Sequence, residues 1–254
     1  MFRSRLRRWL QVLAVAFALS ATGVHAQTIT VSAAASLTEA LREIGRRFEA
    51  AKPGVSVRLN FAASGVLIQQ ILAGAPVDVF VSADEETMSR GIEQKALDPA
   101  TRFDFAANTL VLVAPMQGAP AIASVADLAR PEVRRVAIGK PATVPAGRYA
   151  RQALETARQW PAVEPKLVFA DNVRQVLDYV ARGEVEAGFV YRTDAELMKE
   201  RVRVVLTASG HAPITYPAAA VADSRQPALA REFLAFLAGA EAQGVLARQG
   251  FARP

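Results

Sequence analysis

The sequence contains no cysteine and only two histidines. Disulfide bonds, thiolate nucleophiles and cysteine-ligated metals are therefore excluded. His25 lies in an N-terminal segment that we expect to be removed on export, which leaves His211, in a predicted loop, for the mature chain. One histidine cannot build a histidine-ligated metal cluster, and no serine–histidine–acid spacing is evident. These absences disfavour metal-dependent enzymes and enzymes with a catalytic triad.

Apolar runs of membrane-spanning length are also missing after the first 26 residues. Residues 1–26 join four arginines to an apolar run, Trp9 to Leu19, and to the small-x-small site Val24-His25-Ala26. This pattern predicts a cleavable signal peptide. Its Arg7-Arg8 pair matches a twin-arginine signal only in part, so we expect the general secretory route. The alternative, an uncleaved membrane anchor, would need a longer apolar run.

Little net positive charge remains once this segment is removed. The whole chain carries a formal charge of +6, and the segment holds four arginines and no acid, which leaves +2 on the remaining 228 residues. The main argument for a nucleic-acid partner therefore disappears. The length, with 52% hydrophobic and 21% charged residues, fits one or two globular domains.

Two strand patterns near the start of the mature chain each lead through small residues into a serine. An apolar strand at Ile29 to Val31 is followed by three alanines, Ser36 and a helical pattern through Ala50. The strand Val55 to Phe61 leads in the same way to Ser64 and a second helical pattern. Ser36 and Glu39 have the spacing of a capping box. The carboxyl ends of strands are where open α/β sheets bind ligands, and helix N-termini favour anions.

Strand and helix patterns alternate again in the middle of the chain, and amphipathic helices follow Pro227. We predict an α/β protein with lobe I at residues 27–108 and 214–254 and lobe II at residues 109–213. Two crossing segments would act as hinges. Helices that begin near Ala146 and Val173 in lobe II would match those that begin near Ser36 and Ser64 in lobe I. Four helix N-termini facing one cleft would favour a negatively charged ligand.

Five segments occur in an order that covers nearly the whole mature chain. They are Ala33-Ala34-Ala35-Ser36-Leu37, Phe61-Ala62-Ala63-Ser64, Gly74-Ala75-Pro76-Val77-Asp78-Val79-Phe80-Val81-Ser82-Ala83-Asp84, Val144-Pro145-Ala146-Gly147-x-Tyr149-Ala150 and Gly188-Phe189-Val190-Tyr191. This order resembles the periplasmic molybdate-binding proteins of ABC transporters. The resemblance implies a type II periplasmic-binding-protein fold, in which two lobes, each with a mixed, mostly parallel sheet flanked by helices, are joined by two hinge strands.

The resemblance also implies a set of ligand contacts. In that family the corresponding positions bind the oxygens of the oxyanion, and not its metal atom, through uncharged groups. These would be the hydroxyl and N–H of Ser36, the hydroxyls of Ser64 and Tyr191, and the backbone N–H groups of Ala146 and Val173. Gly65 departs from the pattern, because many relatives carry another hydroxyl residue there.

The resulting hypothesis is a monomeric periplasmic receptor without a cofactor. It would capture molybdate, and also tungstate, and deliver it to a membrane permease with a cytoplasmic ATPase. Sulfate or thiosulfate is the alternative ligand. An exported serine hydrolase using Ser36 or Ser64 is a further alternative that lacks a base.

Charged residues near these loops have predicted supporting roles. We expect Lys140, Arg148 and Arg192 to be rim charges that steer an anion. Asp84 is predicted to cap a helix, and Asp78 to anchor a loop.

Overall fold

The computed structural model describes residues 27–254, so the predicted signal peptide lies outside the described residues. The strands are β1 (Gln27–Ala34), β2 (Val55–Ala62), β3 (Val79–Val81), β4 (Phe103–Asn108), β5 (Leu110–Pro115), β6 (Val136–Gly139), β7 (Leu167–Ala170), β8 (Ala187–Tyr191), β9 (Val202–Thr207) and β10 (Ile214–Ala220). The helices are α1 (Thr38–Ala51), α2 (Ser64–Leu72), α3 (Glu85–Glu93), α4 (Pro145–Thr156), α5 (Trp160–Val163), α6 (Val173–Ala181), α7 (Arg192–Leu197), α8 (Pro227–Ala238) and α9 (Ala240–Arg248).

The strands form two mixed sheets of five strands each. The first sheet has the order β2-β1-β3-β10-β4, with β1 parallel to β2 and β3, and β10 antiparallel to both of its neighbours. The second has the order β7-β6-β8-β5-β9, with β6 parallel to β7 and β8, and β5 antiparallel to β8 and β9. The predicted two-lobed α/β fold is confirmed. Lobe I below denotes the first sheet with its helices, and lobe II the second.

The chain crosses between the sheets twice. It leaves lobe I at Thr109, between β4 and β5, and it returns between Thr207 and Ile214. The two crossings lie side by side, since Asn108 at the end of β4 pairs with Ile214 at the start of β10. The lobe limits expected from the sequence and the action of the two crossings as hinges stay predictions.

The C-terminal helices pack on lobe I. Phe48 of α1 meets Phe233 and Phe236 of α8 in edge-to-face geometry, with ring centroids 5.2 and 5.4 Å apart. Phe48 is almost fully buried. Aromatic pairs of this geometry contribute about 0.5–1.5 kcal/mol each beyond the burial of their area. The packing keeps the end of the chain in the lobe where it began. In the described part of the chain, none of the helices has the length and hydropathy needed to cross a bilayer.

Candidate functional site

The five residues predicted to bind the ligand lie together between the two lobes. They line one small cavity. Its full lining is Ala34, Ala35, Ser36, Ala62, Ala63, Ser64, Ala83, Val144, Pro145, Ala146, Asn172, Val173 and Tyr191. Each of the five predicted residues is less than 5% exposed. The lobes are therefore closed over the cavity.

Three helices begin at the cavity wall. The starts of α2, α4 and α6 place Ser64, Ala146 and Val173 in first turns, where backbone N–H groups have no acceptor inside the helix. A glycine permits the close approach of α4: a Cβ on Gly147 would lie 1.9 Å from the carbonyl oxygen of Gly139 in β6. The first turns direct the positive ends of three helix dipoles toward the same region.

The predicted capping box of Ser36 and Glu39 is wrong. Residues Ala35–Leu37 form a 3₁₀ turn and α1 begins only at Thr38, so Ser36 is not an N-cap and neither segment has a side-chain cap. Ser36 Oγ instead lies 3.2 Å from the phenol oxygen of Tyr216, and Glu39 accepts a hydrogen bond from Arg174 at 2.6 Å. The extra turn leaves the Ser36 hydroxyl at the cavity wall.

The other two hydroxyls of the cavity can also donate. Ser64 Oγ accepts a hydrogen bond from the backbone N–H of Ala83 at 3.0 Å, which leaves its own proton for another acceptor. The phenol oxygen of Tyr191 is buried and has no hydrogen-bond partner among the described residues. Burial raises the pKa of Tyr191 well above its ordinary value, so the group stays protonated and remains a donor.

The cavity wall carries no charged side chain among the described residues. The same part of the chain also contains no group of three or more histidine, aspartate or glutamate residues that could hold a metal ion. The site consists of hydroxyl and amide donors in apolar surroundings. Such a site can hold an oxyanion by hydrogen bonds and helix dipoles.

Comparison with known proteins identifies the family of this chain. The model of the bacterial extracellular solute-binding protein family matches residues 29–252. The chain belongs to this family.

Relatives of this solute-binding protein have names that concern molybdate binding and transport. It is 38% identical to the molybdate-binding protein ModA of Escherichia coli, over 96% of this chain and 98% of the relative. It is 37% identical to the putative ABC transporter substrate-binding lipoprotein YvgL of Bacillus subtilis, over 88% and 86%. Among solved structures, the substrate-binding domain of a putative molybdenum ABC transporter from Clostridium difficile aligns with a TM-score of 0.68 and 34% identity, over 89% of this chain and 99% of that one.

Arg148 of the solute-binding protein is not the rim charge that the sequence predicted. Its side chain is only 11% exposed and forms an ion pair with Asp84 of lobe I. Its Nε donates to Asp84 at 2.9 Å and a terminal nitrogen donates to Thr87 at 2.7 Å. Asp84 also caps α3 through the N–H of Thr87, as predicted. Because α4 starts at the cavity, its first turns carry Arg148 across the cleft and not to the rim.

The remaining charged residues near these loops are Lys140, Arg192 and Asp78. Lys140 pairs with Asp171 at an exposed position, and Arg192 donates to Thr207 at 2.9 Å, also exposed, so their steering role stays a prediction. Asp78 accepts hydrogen bonds from Thr30 in β1 and from Ser224 in the loop before α8. The predicted anchoring role of Asp78 is confirmed.

Arg174 lies beside the cavity without lining it and bridges the lobes, and the sequence analysis missed this role. It follows Val173 in the first turn of α6 and reaches lobe I, where it donates to Glu39 at 2.6 Å and to the carbonyl oxygen of Ser36 at 3.1 Å. Its Nε lies 2.6 Å from the buried carboxylate of Asp194. The available signal was its position, because a cation in a first turn opposes the helix dipole and needs a compensating partner.

Gly65 makes a direct backbone contact between the lobes. Its N–H donates to the carbonyl oxygen of Thr143 at 2.9 Å, and a Cβ on Gly65 would lie 2.6 Å from that oxygen. The residue that departs from the family pattern thus lies where a larger side chain would press against lobe II. Thr143 was not singled out by the sequence, since nothing local marks a carbonyl that accepts a bond from the other lobe.

Proposed function

We propose that this solute-binding protein captures molybdate, and also tungstate, between its lobes and delivers it to the membrane permease of an ABC transporter with a cytoplasmic ATPase. It would act in the periplasm as a monomer, after removal of residues 1–26. The names of the relatives support this choice of ligand and partner. The lining of the cavity supports an oxyanion as the ligand.

One observation carries the proposal: donors from both lobes meet at a cavity whose lining, within residues 27–254, has no charged side chain. Lobe I supplies Ser36 and Ser64, and lobe II supplies Tyr191 with the first turns at Ala146 and Val173. Each helix N-terminus favours an anion by about 0.3–1 kcal/mol when exposed, and by more when desolvated. A fully ionised dianion has no proton to donate, so hydrogen-bond donors are the only partners that it needs. A ligand held by both lobes favours the closed state, because only that state offers every contact.

We propose no catalysis, no resident cofactor and no nucleic-acid partner. A serine nucleophile needs an adjacent base. The groups within hydrogen-bonding distance of the two serine hydroxyls are the phenol of Tyr216 and the amide of Ala83, and neither is a base at neutral pH. This argues against a hydrolase that uses Ser36 or Ser64.

A ligand panel tests the proposal. Thermal unfolding would be followed with molybdate, tungstate, sulfate, thiosulfate and phosphate, and affinities would be measured by calorimetry. A ligand at 100 times its Kd should add about 2.7 kcal/mol to the free energy of unfolding. We expect this for molybdate and tungstate. Stabilisation by sulfate or thiosulfate alone would contradict the choice of ligand, and turnover of esters would contradict the receptor role.

Ser36→Ala tests the site within the same experiment. It removes one hydroxyl donor to a charged ligand and should cost about 1–3 kcal/mol of binding free energy. Ser89→Ala is the matched control, since Ser89 lies on α3 and its hydroxyl bonds only to exposed Glu85 among the described residues. An unchanged Kd for molybdate in Ser36→Ala would exclude Ser36 as a ligand contact.

A further inference from the structure

A chain of hydrogen bonds, buried at its Ser36 end, runs behind the cavity from a lobe crossing to Ser36. Asn108 ends β4, directly before the crossing at Thr109, and Tyr216 lies in β10 beside it. Asn108 Nδ2 lies 3.2 Å from the phenol oxygen of Tyr216, which in turn lies 3.2 Å from Ser36 Oγ. Tyr216 is fully buried and Ser36 is 3% exposed. Each of these hydrogen bonds has a definite donor and a definite acceptor.

The orientation of the Asn108 amide is fixed at both ends. Its Oδ1 accepts a hydrogen bond from the backbone N–H of Thr109 at 2.8 Å, and an N–H can only donate. Nδ2 therefore faces the hydroxyls of Thr193, at 2.9 Å, and of Tyr216. Both amide protons are used, so Tyr216 must accept from Asn108.

The phenol proton of Tyr216 then has one destination. Burial raises the pKa of Tyr216 well above its ordinary value, so the phenol keeps its proton. Among the described residues, this phenol has two partners in hydrogen-bonding distance. The Asn108 amide nitrogen can only donate, so Ser36 Oγ is the one available acceptor. If Ser36 donated to Tyr216 instead, the phenol proton would be buried without an acceptor, which is costly. Ser36 Oγ therefore accepts, and its own proton is free to point into the cavity.

We propose that Asn108 and Tyr216 are positioning residues that turn the Ser36 hydroxyl into an obligate donor toward the ligand. This inference rests on the proposed function. Ser64 is set in the same sense by the N–H of Ala83. Each serine would then have one lone pair engaged by the protein and its proton directed at the ligand, so a serine that accepted a proton from the ligand would leave its own proton without an acceptor among the described residues. The cavity would select fully ionised oxyanions through residues that do not touch the ligand.

A double-mutant cycle tests whether Tyr216 acts through Ser36. Molybdate affinity would be measured by calorimetry for the wild type, Ser36→Ala, Tyr216→Phe and the double variant. Tyr216→Phe should weaken binding about fivefold to tenfold, because Ser36 loses the bond that orients it. The same change should alter affinity less than about twofold in the Ser36→Ala background, a result that a merely structural role would not produce.

Asn108→Asp provides a second, independent test. The new carboxylate accepts where the amide donated, so Tyr216 would turn its proton toward that carboxylate, and its oxygen would compete with the ligand for the Ser36 proton. Affinity should fall by at least as much as in Ser36→Ala, and most of this loss should vanish when Ser36 is already alanine. A loss that persists without Ser36 would show charge repulsion at a distance and overturn the proposal.

The remaining outcomes are also decisive. Tyr179→Phe is the matched control, since Tyr179 lies on α6 and does not line the cavity. Thermal unfolding without ligand shows whether each variant folds. If Tyr216→Phe does not fold, the affinities measured for Asn108→Asp decide the proposal. An unchanged affinity in Tyr216→Phe, or an equal loss in both backgrounds, overturns the proposal. A wild-type protein that does not bind molybdate at all overturns the proposed function instead.

Discussion

At the scale of single residues, the site depends on which atoms donate. The three hydroxyls at the cavity differ in their hydrogen-bond partners within the protein. Ser36 and Ser64 each contact a protein group, whereas the phenol of Tyr191 has no hydrogen-bond partner among the described residues. A buried polar group without a partner costs stability. A ligand oxygen in the cavity would supply that partner. Tyr191 should therefore increase the affinity for the ligand and lower the stability of the ligand-free protein.

Tyr191→Phe separates these two effects. Molybdate affinity should fall about tenfold or more, because a donor to a charged group is lost. The ligand-free protein should unfold at the same temperature or a higher one, since an unsatisfied hydroxyl is removed from the interior. Calorimetry and thermal unfolding measure the two quantities. A large loss of ligand-free stability with unchanged affinity would mean that Tyr191 is a structural core residue.

Asp194 gives the folded protein a pH dependence of predictable sign. Burial raises the pKa of its carboxyl to about 6, and the nearby guanidinium of Arg174 opposes the rise. Between about pH 4 and 6 the folded state therefore holds a proton that the unfolded chain releases. The stability contributed by this proton is full below about pH 4 and is lost as the pH rises through about 6.

Denaturant unfolding of the wild type and Asp194→Asn at several pH values measures this term. The difference in unfolding free energy, wild type minus variant, should decrease from about pH 4 to about pH 7. Subtracting the variant removes the slopes of the other carboxylates. A difference that grows with pH would indicate a carboxyl whose pKa is lowered by Arg174.

At the scale of elements, closure of the cavity depends on the first turns of the helices. The N-terminus of α2 contacts the loop before α4 through the Gly65–Thr143 hydrogen bond. The space there is limited by backbone atoms, which cannot move as a flexible side chain can. In this chain a Cβ at position 65 would therefore have to displace the backbone of Thr143 before the lobes could close to the observed distance.

Gly65→Ala should weaken molybdate binding while leaving the helix itself intact. Alanine favours a helix over glycine by up to about 1 kcal/mol, so the ligand-free protein should not lose stability through α2. The Cβ would meet Thr143 only when the lobes close, and affinity should fall about tenfold or more. Gly244→Ala in α9 is the matched control, because the nearest atom to its added Cβ is 3.6 Å away, at the end of the Arg248 side chain. Equal affinity in both variants would contradict this account.

At the scale of the whole molecule, two arginines of lobe II hold carboxylates of lobe I on either side of the cavity. Arg148 follows Ala146 by two residues and pairs with Asp84, and Arg174 follows Val173 and pairs with Glu39. Each arginine therefore lies just beyond a predicted ligand contact. The pairs exist only when the lobes are together, so they stabilise the closed state without touching the ligand.

Arg148→Gln should weaken molybdate binding by about 10–100-fold, because closure would bury Asp84 without its partner. The effect should appear as faster dissociation in stopped-flow measurements. Arg151→Gln removes the same charge from the same helix, but Arg151 is half exposed and pairs with Glu155 within α4, so its affinity should hardly change. A slower association of similar size in both variants would instead indicate general steering of the anion.

The sequence by itself determined the alternation of strands and helices, the two lobes and the serine and backbone positions at the cavity. Apolar periodicity and small residues at strand ends are local properties, so they are visible in the sequence itself. Only the tertiary structure decided where Arg148 and Arg174 point, that Ser36 faces Tyr216 and does not cap α1, and that Gly65 meets Thr143. Each of these contacts joins residues at least 64 positions apart. Such contacts are set by how the lobes pack, and no local pattern records them.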